Sequence, residues 1–251
     1  MRVIRPAAVA RRAGLAPRTR VALAMLAVGL AAAMLLAVAA PASPIPVALL
    51  GLAAALGLGV GAAWTVRALR PDAARRLLLD VERLLRDAFD DSYTLVIGPR
   101  LPLARSEVAG ILVGPPGIRV LVARDWEGRY RVRGRAWEYD TRTRRGWIPC
   151  RTNPSFDAAG QADAVSGWAR DLGLHVPALE GAVVFPHRNS RIVLEAPDDE
   201  IVTSDNVPWW ANRIGRVQRM DAAAASRFVS AVLNAADTAV RQPATAVGSE
   251  G

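Results

Sequence analysis

Little in this chain can attack a substrate. Its 251 residues hold one cysteine, Cys150, two histidines, His175 and His187, and no lysine, so that all 32 basic residues are arginine. Arginine keeps its proton at any working pH and cannot act as a base; Schiff-base and P-loop-lysine chemistry go with the missing lysine. A lone thiol excludes an internal disulfide and fits a reducing compartment, and the two histidines are too few for a Cys/His zinc site. His187 falls in a loop with no second His, Cys or acid at ligand spacing, and is expected to be structural or solvated. No cofactor motif is present, and none is expected. The densest set of binding groups is basic: Arg129, Arg131, Arg133 and Arg135 alternate along one stretch, and Arg142, Arg144 and Arg145 continue it. Beside Trp137, Tyr139 and Trp147 these residues could contact phosphates and stack bases, lie against anionic lipid, or form a solvated edge hairpin.

The elements that must position these groups centre on residues 107–128. Apolar runs Val108–Val113 and Ile118–Ala123 flank Gly114-Pro115-Pro116-Gly117, which is a β-hairpin pattern. Apolar residues occupy both parities of each strand, so the hairpin is expected to lie centrally in a sheet covered on both faces. With Val113 opposite Ile118, a constant register sets Ala109 against Val122 and Glu107 against Arg124, the latter as a cross-strand ion pair.

This stretch resembles the core of the NERD (nuclease-related) domain, in which an acidic motif and Asp-His precede a strand, Gly-Pro-x-Gly, a strand ending Glu-x-Lys, and Trp-x-Gly. Gly114, Pro115, Gly117, Trp126 and Gly128 match the scaffold, and Glu107 fills the first acidic slot. The chemical positions depart from the pattern: Ala109 for Asp, Gly110 for His, Val122 for Glu, Arg124 for Lys. The resemblance implies that the facing acids of a working member hold a divalent metal; methyl groups supply no oxygen ligand to Mg²⁺. Further along, Asn153-Pro154 is similar to the family's Asn-Pro-x-x-Gln helix start, with Asp157 in the Gln slot and Gln161 one turn later. The alternative is an active nuclease with a relocated site built from Glu107, Asp125, Glu127 and Asp157. The family's helix motif with its Glu is absent, and Asp80 and Glu82 read as solvated charges on an amphipathic helix.

The composition, 52% hydrophobic with a formal charge of +9, points to a membrane segment beside a basic soluble part. Residues 1–20 read as a basic cytoplasmic tail. From Val21 to Ala40 no side chain is polar, which at about 1.5 Å per residue spans a hydrocarbon core of about 30 Å. A second run covers 47–66 after Pro41, Pro44 and Pro46. Arginines flank the outer end of each run and the connecting loop carries none, so both termini and the soluble domain are expected on the cytoplasmic side of the membrane. Gly57 and Gly61 have the spacing of a close helix contact or of simple permissiveness. A cleaved signal peptide ending near Ala39 is the lesser alternative, because the run is long and a second follows.

Residues 71–237 read as one soluble domain and 238–251 as a disordered tail. Expected elements are a helix carrying Leu77, Leu78, Val81, Leu84, Leu85 and Phe89 inward, a strand at Tyr93–Ile97, the central hairpin, and short strands through Gly128–Asp140. A helix then runs to Leu172 with Ala158, Ala162, Val165, Trp168 and Leu172 buried. Strands follow at Ala182–Phe185 and Ile192–Leu194, then a Trp209-Trp210 helix start that packs on the sheet or the bilayer interface. A final helix over Met220–Val240 turns Phe228, Val229 and Val232 inward. The resemblance implies a restriction-endonuclease-like α/β core, a mixed sheet with flanking helices, behind two transmembrane helices. Its expected role is a non-catalytic binding module partnered by the bilayer, with nucleic acid, anionic lipid or a protein as further partner.

Overall fold

The computed structural model describes residues 1–6, 17–38, 44–69, 73–99, 101–102, 108–141, 146–177 and 179–241. Its centre is the hairpin of β3 (Gly110–Gly114) and β4 (Gly117–Ala123), buried along its whole length. Val113 pairs with Ile118, as the apolar pattern requires, and the ladder runs one pair further to Gly114 and Gly117, leaving Pro115-Pro116 as the loop. Gly117 has φ 114°, a left-handed value that a β-branched residue could not hold. Gly114 is needed for space instead: a Cβ there would fall inside the Tyr93 ring.

Six strands make the main sheet, in the order β1 (Arg2–Ile4), β2 (Thr94–Ile97), β3, β4, β8 (Leu179–Phe185), β10 (Glu200–Thr203). β2, β3 and β4 form an antiparallel meander, whereas β1 runs parallel to β2, and β8 and β10 parallel to β4. This is a mixed sheet with helices on both faces. On one face α3 (Ala73–Arg86) and α5 (Val207–Gly215) bury Val81, Leu85, Trp210 and Ile214 against Leu95, Leu112 and Leu121. On the other, α4 (Pro154–Asp171) and α6 (Ala222–Arg241) bury Val165, Trp168, Phe228 and Val232 against Ile111, Val113 and Val120. Each such large side chain contributes roughly 1.5–3 kcal/mol through the water it sheds.

A second sheet, ordered β7 (Trp147–Pro149), β6 (Ala136–Asp140), β5 (Gly128–Gly134), β9 (Ser190–Pro197), packs Val132 and Trp137 onto Val122, Val183 and Phe185. Trp126 is the hinge piece. Its ring lies 5.8 Å from Trp137, 5.9 Å from Phe185 and 5.0 Å from Tyr130, its carbonyl accepts from the Ser190 hydroxyl, and Gly128 turns the chain at φ 117°. The Trp-x-Gly pattern therefore joins the two sheets. β5 sits between β6 and β9, not at an edge as the alternation suggested.

Residues 11–73 form a separate unit, the antiparallel pair α1 (Pro17–Val38) and α2 (Pro44–Leu69). α2 begins at Pro44 rather than 47, because a proline in the first helical turn costs no hydrogen bond. Gly29, Gly57 and Gly61 let the backbones touch: a Cβ on Gly57 would lie 2.6 Å from the Gly29 Cα, and one on Gly61 2.9 Å from the Leu26 nitrogen. Close contact, not permissiveness, is what these glycines provide. Val28, Met34, Leu35, Leu49 and Leu52 remain exposed on the pair. Among the described residues no helix is long and apolar enough to cross a membrane, so the expectation of two transmembrane spans at 21–40 and 47–66 is not supported, and α1 and α2 stand as a packed helical pair.

Residues 1–20 are not simply a tail. Arg2–Ile4 pair with Thr94–Val96, and Arg5 reaches the buried Glu82 through both carboxylate oxygens at 2.8 and 2.6 Å, joined there by Arg86. Glu82 is thus a clasp between the chain start and α3, where a solvated charge was expected. Signal cleavage near Ala39 would remove a strand of the sheet. Leu172 is exposed because α4 ends at Asp171, and Ala169 takes the inward place. The final helix continues to Arg241, past the expected domain end at 237, and residues 242–251 lie outside the described residues. β1, β7 and β10 were not foreseen.

Candidate functional site

The resemblance locates a site at the far end of β4 and the start of α4. α4 starts as its sequence requires: Asn153 in extended backbone accepts from the Ser155 N–H at 3.0 Å, and Pro154 fills the first turn. Asp157 in that turn forms an ion pair with Arg124, the first residue beyond β4. Arg124 was expected to pair with Glu107, which lies outside the described residues.

Ala109 and Val122 do not face each other. The Ala109 N–H donates to the Leu121 carbonyl at 3.1 Å, out of step with the Gly110–Leu121 pair. Both Ala109 and a Cβ built on Gly110 then meet the core under α3 and α5, while Val122 belongs to the core between the two sheets. A bulge at 109–110 has broken the alternation on which the expected register rested. Acids restored at 109 and 122 would point to opposite faces of the sheet.

Of the relocated acids, Asp125 as well as Asp157 already has a side-chain partner. Asp125 binds His187, Oδ1 to Nε2 at 2.7 Å, which corrects the reading of His187 as a residue without an acidic neighbour. Glu127 is held through its main chain, whose carbonyl accepts from the Tyr130 hydroxyl at 3.1 Å. Gln161, one turn after Asp157, is buried on α4. Among the described residues no group of three or more His, Cys, Asp or Glu side chains comes together as a metal site.

The arginine face forms on the second sheet, but each described arginine meets a carboxylate. Arg131 lies opposite Glu138 across the β5–β6 ladder, with Nε 2.8 Å from the carboxylate. Arg133 binds Glu195 at 3.0 and 2.8 Å, Arg129 lies 3.6 Å from Asp140, and Arg135 3.7 Å from Asp199. The Trp147 ring is covered by the guanidinium groups of Arg129 and Arg131, at 5.4 and 4.7 Å. Trp137 is core, its indole N–H donating to Ser155 at 2.9 Å. Neither ring is free to stack a base. Arg142, Arg144 and Arg145 lie outside the described residues.

Sequence reasoning missed a buried ionic group on the opposite face. Arg119, 5% exposed in the middle of β4, donates to Glu200 at 3.0 Å and lies 3.0 Å from Glu180. The Trp210 indole donates to Glu200 at 3.0 Å and Arg213 approaches it at 3.5 Å. The signal was available: one charge inside a strand read as covered on both faces must carry its partners with it. Close by, burial pushes the Tyr93 phenol up, with Asp90 adding to the effect.

No family model, no curated protein and no solved structure matches this chain. The nuclease-related resemblance therefore rests on its motif residues.

Proposed function

We propose that this chain is a membrane-anchored module with a restriction-endonuclease-like core, related to NERD domains, that binds a partner and does not cleave nucleic acid. The helix, three-strand meander, helix and parallel strand succession of α3, β2–β4, α4 and β8 is compatible with that core. One observation carries the non-catalytic reading: Arg124 and Asp157 neutralise each other while Ala109 and Val122 are packed into two different apolar cores. Metal ligation would require unpacking both. Titration with Mg²⁺ or Mn²⁺, followed by calorimetry, is expected to give no saturable heat; stoichiometric binding lost in Asp157→Asn would refute it.

The anchor is the α1–α2 pair. Its apolar side chains stay exposed after the helices have packed on each other, and such a surface is stable in lipid and a liability in water. Both ends of the pair lead to the same folded unit, as a hairpin entering and leaving by one cytoplasmic face would. In a Cys150→Ser background, a membrane-impermeant maleimide should label Ser43→Cys in intact cells and Arg170→Cys only after permeabilisation. Equal labelling of both would overturn this topology.

A lipid- or protein-gripping scaffold is favoured over a nucleic-acid platform by the charge balance of the arginine face. Trp209 adds to this, since it is exposed on α5 with the Arg213 guanidinium 5.1 Å above its ring. Nucleic-acid affinity falling steeply with salt would reverse that preference.

A further inference from the structure

We infer that the exposed side of α5 docks on a bilayer surface carrying anionic headgroups. α5 buries Val207, Trp210, Ala211 and Ile214, whereas Trp209, Arg213 and Arg216 point outward at positions i, i+4 and i+7 of one helical face. Trp209 is 63% exposed, while its neighbour Trp210 is fully buried. An indole has about 150–250 Å² to bury and an N–H to keep wet, which suits it to the zone between headgroups and water. The Arg213 guanidinium lies 5.1 Å above this ring, so the face presents an apolar plate with a cation stacked on it. Val217, in the turn after the helix, adds a second exposed apolar side chain.

Charge selects the surface. Residues 207–220 hold Arg213, Arg216 and Arg219 and no acid. Arg213 and Arg219 share the carboxylates of Glu200 and Glu180 with the buried Arg119, and the Arg119 Nη1 still lacks a hydrogen-bond partner. Arg216 binds the Asn212 side-chain oxygen at 3.2 Å and no carboxylate among the described residues. These four cations against two carboxylates leave a surplus of two positive charges. Asp87 and Asp90 belong to the groove on the neighbouring side of α5, which Pro208, Asn212 and Gly215 line. Position then selects a bilayer over a soluble partner. The chain enters and leaves this folded unit on the α3 side: Arg5 binds Glu82 of α3, and α3 begins at Ala73, four residues after α2 ends at Leu69. Four residues span at most about 14 Å, and α3 and α5 share one core. A bilayer holding α2 is therefore within reach of this face, where each arginine near an anionic surface favours docking about fivefold. The inference rests on the membrane-anchored reading for the presence of the bilayer; its charge argument stands on α5 and its neighbours.

The test uses the full chain in a Cys150→Ser background, with one fluorophore attached at Val217→Cys, at Leu30→Cys on α1, or at Arg170→Cys on α4 across the sheet. Each protein is placed in nanodiscs of phosphatidylcholine alone or of an equal mixture with phosphatidylglycerol, doped with lipid spin-labelled in the tail or in the headgroup. Leu30→Cys should be quenched by the tail label in both bilayers, which reports the anchor. Val217→Cys should be quenched by the headgroup label severalfold more in the anionic discs than in the neutral ones, and Arg170→Cys in neither. In the Val217→Cys protein, Arg216→Gln should lower the docked-to-undocked ratio about fivefold, and adding Trp209→Ala should bring quenching to the Arg170→Cys level. Both residues are exposed, and unchanged thermal unfolding confirms the fold; should the double variant unfold, Arg216→Gln alone carries the test. Quenching at Leu30→Cys without quenching at Val217→Cys in anionic discs would overturn this inference and leave the anchor standing. No quenching at Leu30→Cys would sink the anchor and the inference together. Equal quenching of Val217→Cys in both bilayers, or quenching undiminished by Arg216→Gln, would also overturn it. So would a fluorescence change at Val217→Cys that follows the number of copies per disc instead of lipid charge, which would assign the face to a second copy.

Discussion

Replacing Gly181 with alanine should separate the sheet from α4. Gly181 lies in β8, which is held between β4 and β10, and the helix crosses directly over it. A Cβ at this position would stand 2.5 Å from the Ala158 carbonyl oxygen, 2.7 Å from its carbon and 3.1 Å from its Cβ. Restoring ordinary contact requires a displacement of roughly 0.7–1 Å, and all the atoms involved are backbone or Cβ, so no side chain can swing aside. Overpacking of this kind costs about 1–3 kcal/mol, and the rigid setting places Gly181→Ala at the upper end. At roughly 2–4 °C per kcal/mol for a domain of this size, the unfolding midpoint should fall by about 6–12 °C. The same substitution at Gly160 or Gly167 of α4, where a Cβ meets nothing within 4 Å, should raise stability by about 0.5–1 kcal/mol through helix propensity. Circular-dichroism melts of the three variants decide the matter. A Gly181→Ala midpoint equal to or above wild type, or three shifts of one sign, would refute the packing described for α4.

Glu82→Ala should cost about 1–2 kcal/mol, less than a fully buried pair, because Arg5 and Arg86 are half exposed and regain water; hydrogen exchange should quicken at Val3 and Ile4 before the rest of the sheet. Arg131→Ala loses the cross-strand carboxylate contact and the Trp147 ring together, for about 1–2 kcal/mol by denaturant melts. Burial raises the phenols of Tyr93 and Tyr130. The unfolded chain therefore releases these protons first, and the phenols' contribution to stability, constant below their unfolded pKa of about 10, should fall as pH rises through it. Tyr93→Phe should flatten that fall between pH 9 and 11, and an unchanged slope would count against the buried phenol.

The central hairpin and most helices could be read from the chain because their information is local. Gly-Pro-Pro-Gly between apolar runs permits one register, and Asn153-Pro154 has one common use at a helix start. The misreadings share a different cause. A bulge is decided by which neighbour an N–H finds, and nothing in Val108-Ala109-Gly110 announces that Ala109 will bond to the Leu121 carbonyl. β1 has three residues and makes sense only once β2 lies beside it. The carboxylates that neutralise the arginine strand come partly from β6 and partly from β9 and the turn after it, some sixty residues on, and periodicity along one strand cannot see them. Glu82 looked solvated for the same reason: its partner Arg5 lies on the far side of two helices in sequence.

That long-range clasp bears on how the molecule can be taken apart. Trimming the chain to begin at Ala73, the obvious route to a piece free of the apolar helices, would strip the outer flank of β2 and leave a sequestered carboxylate facing one arginine where it now has two. The trimmed piece should therefore be sticky at that flank, whereas splicing residues 1–6 to 73 through a short polar bridge would restore the missing ribbon.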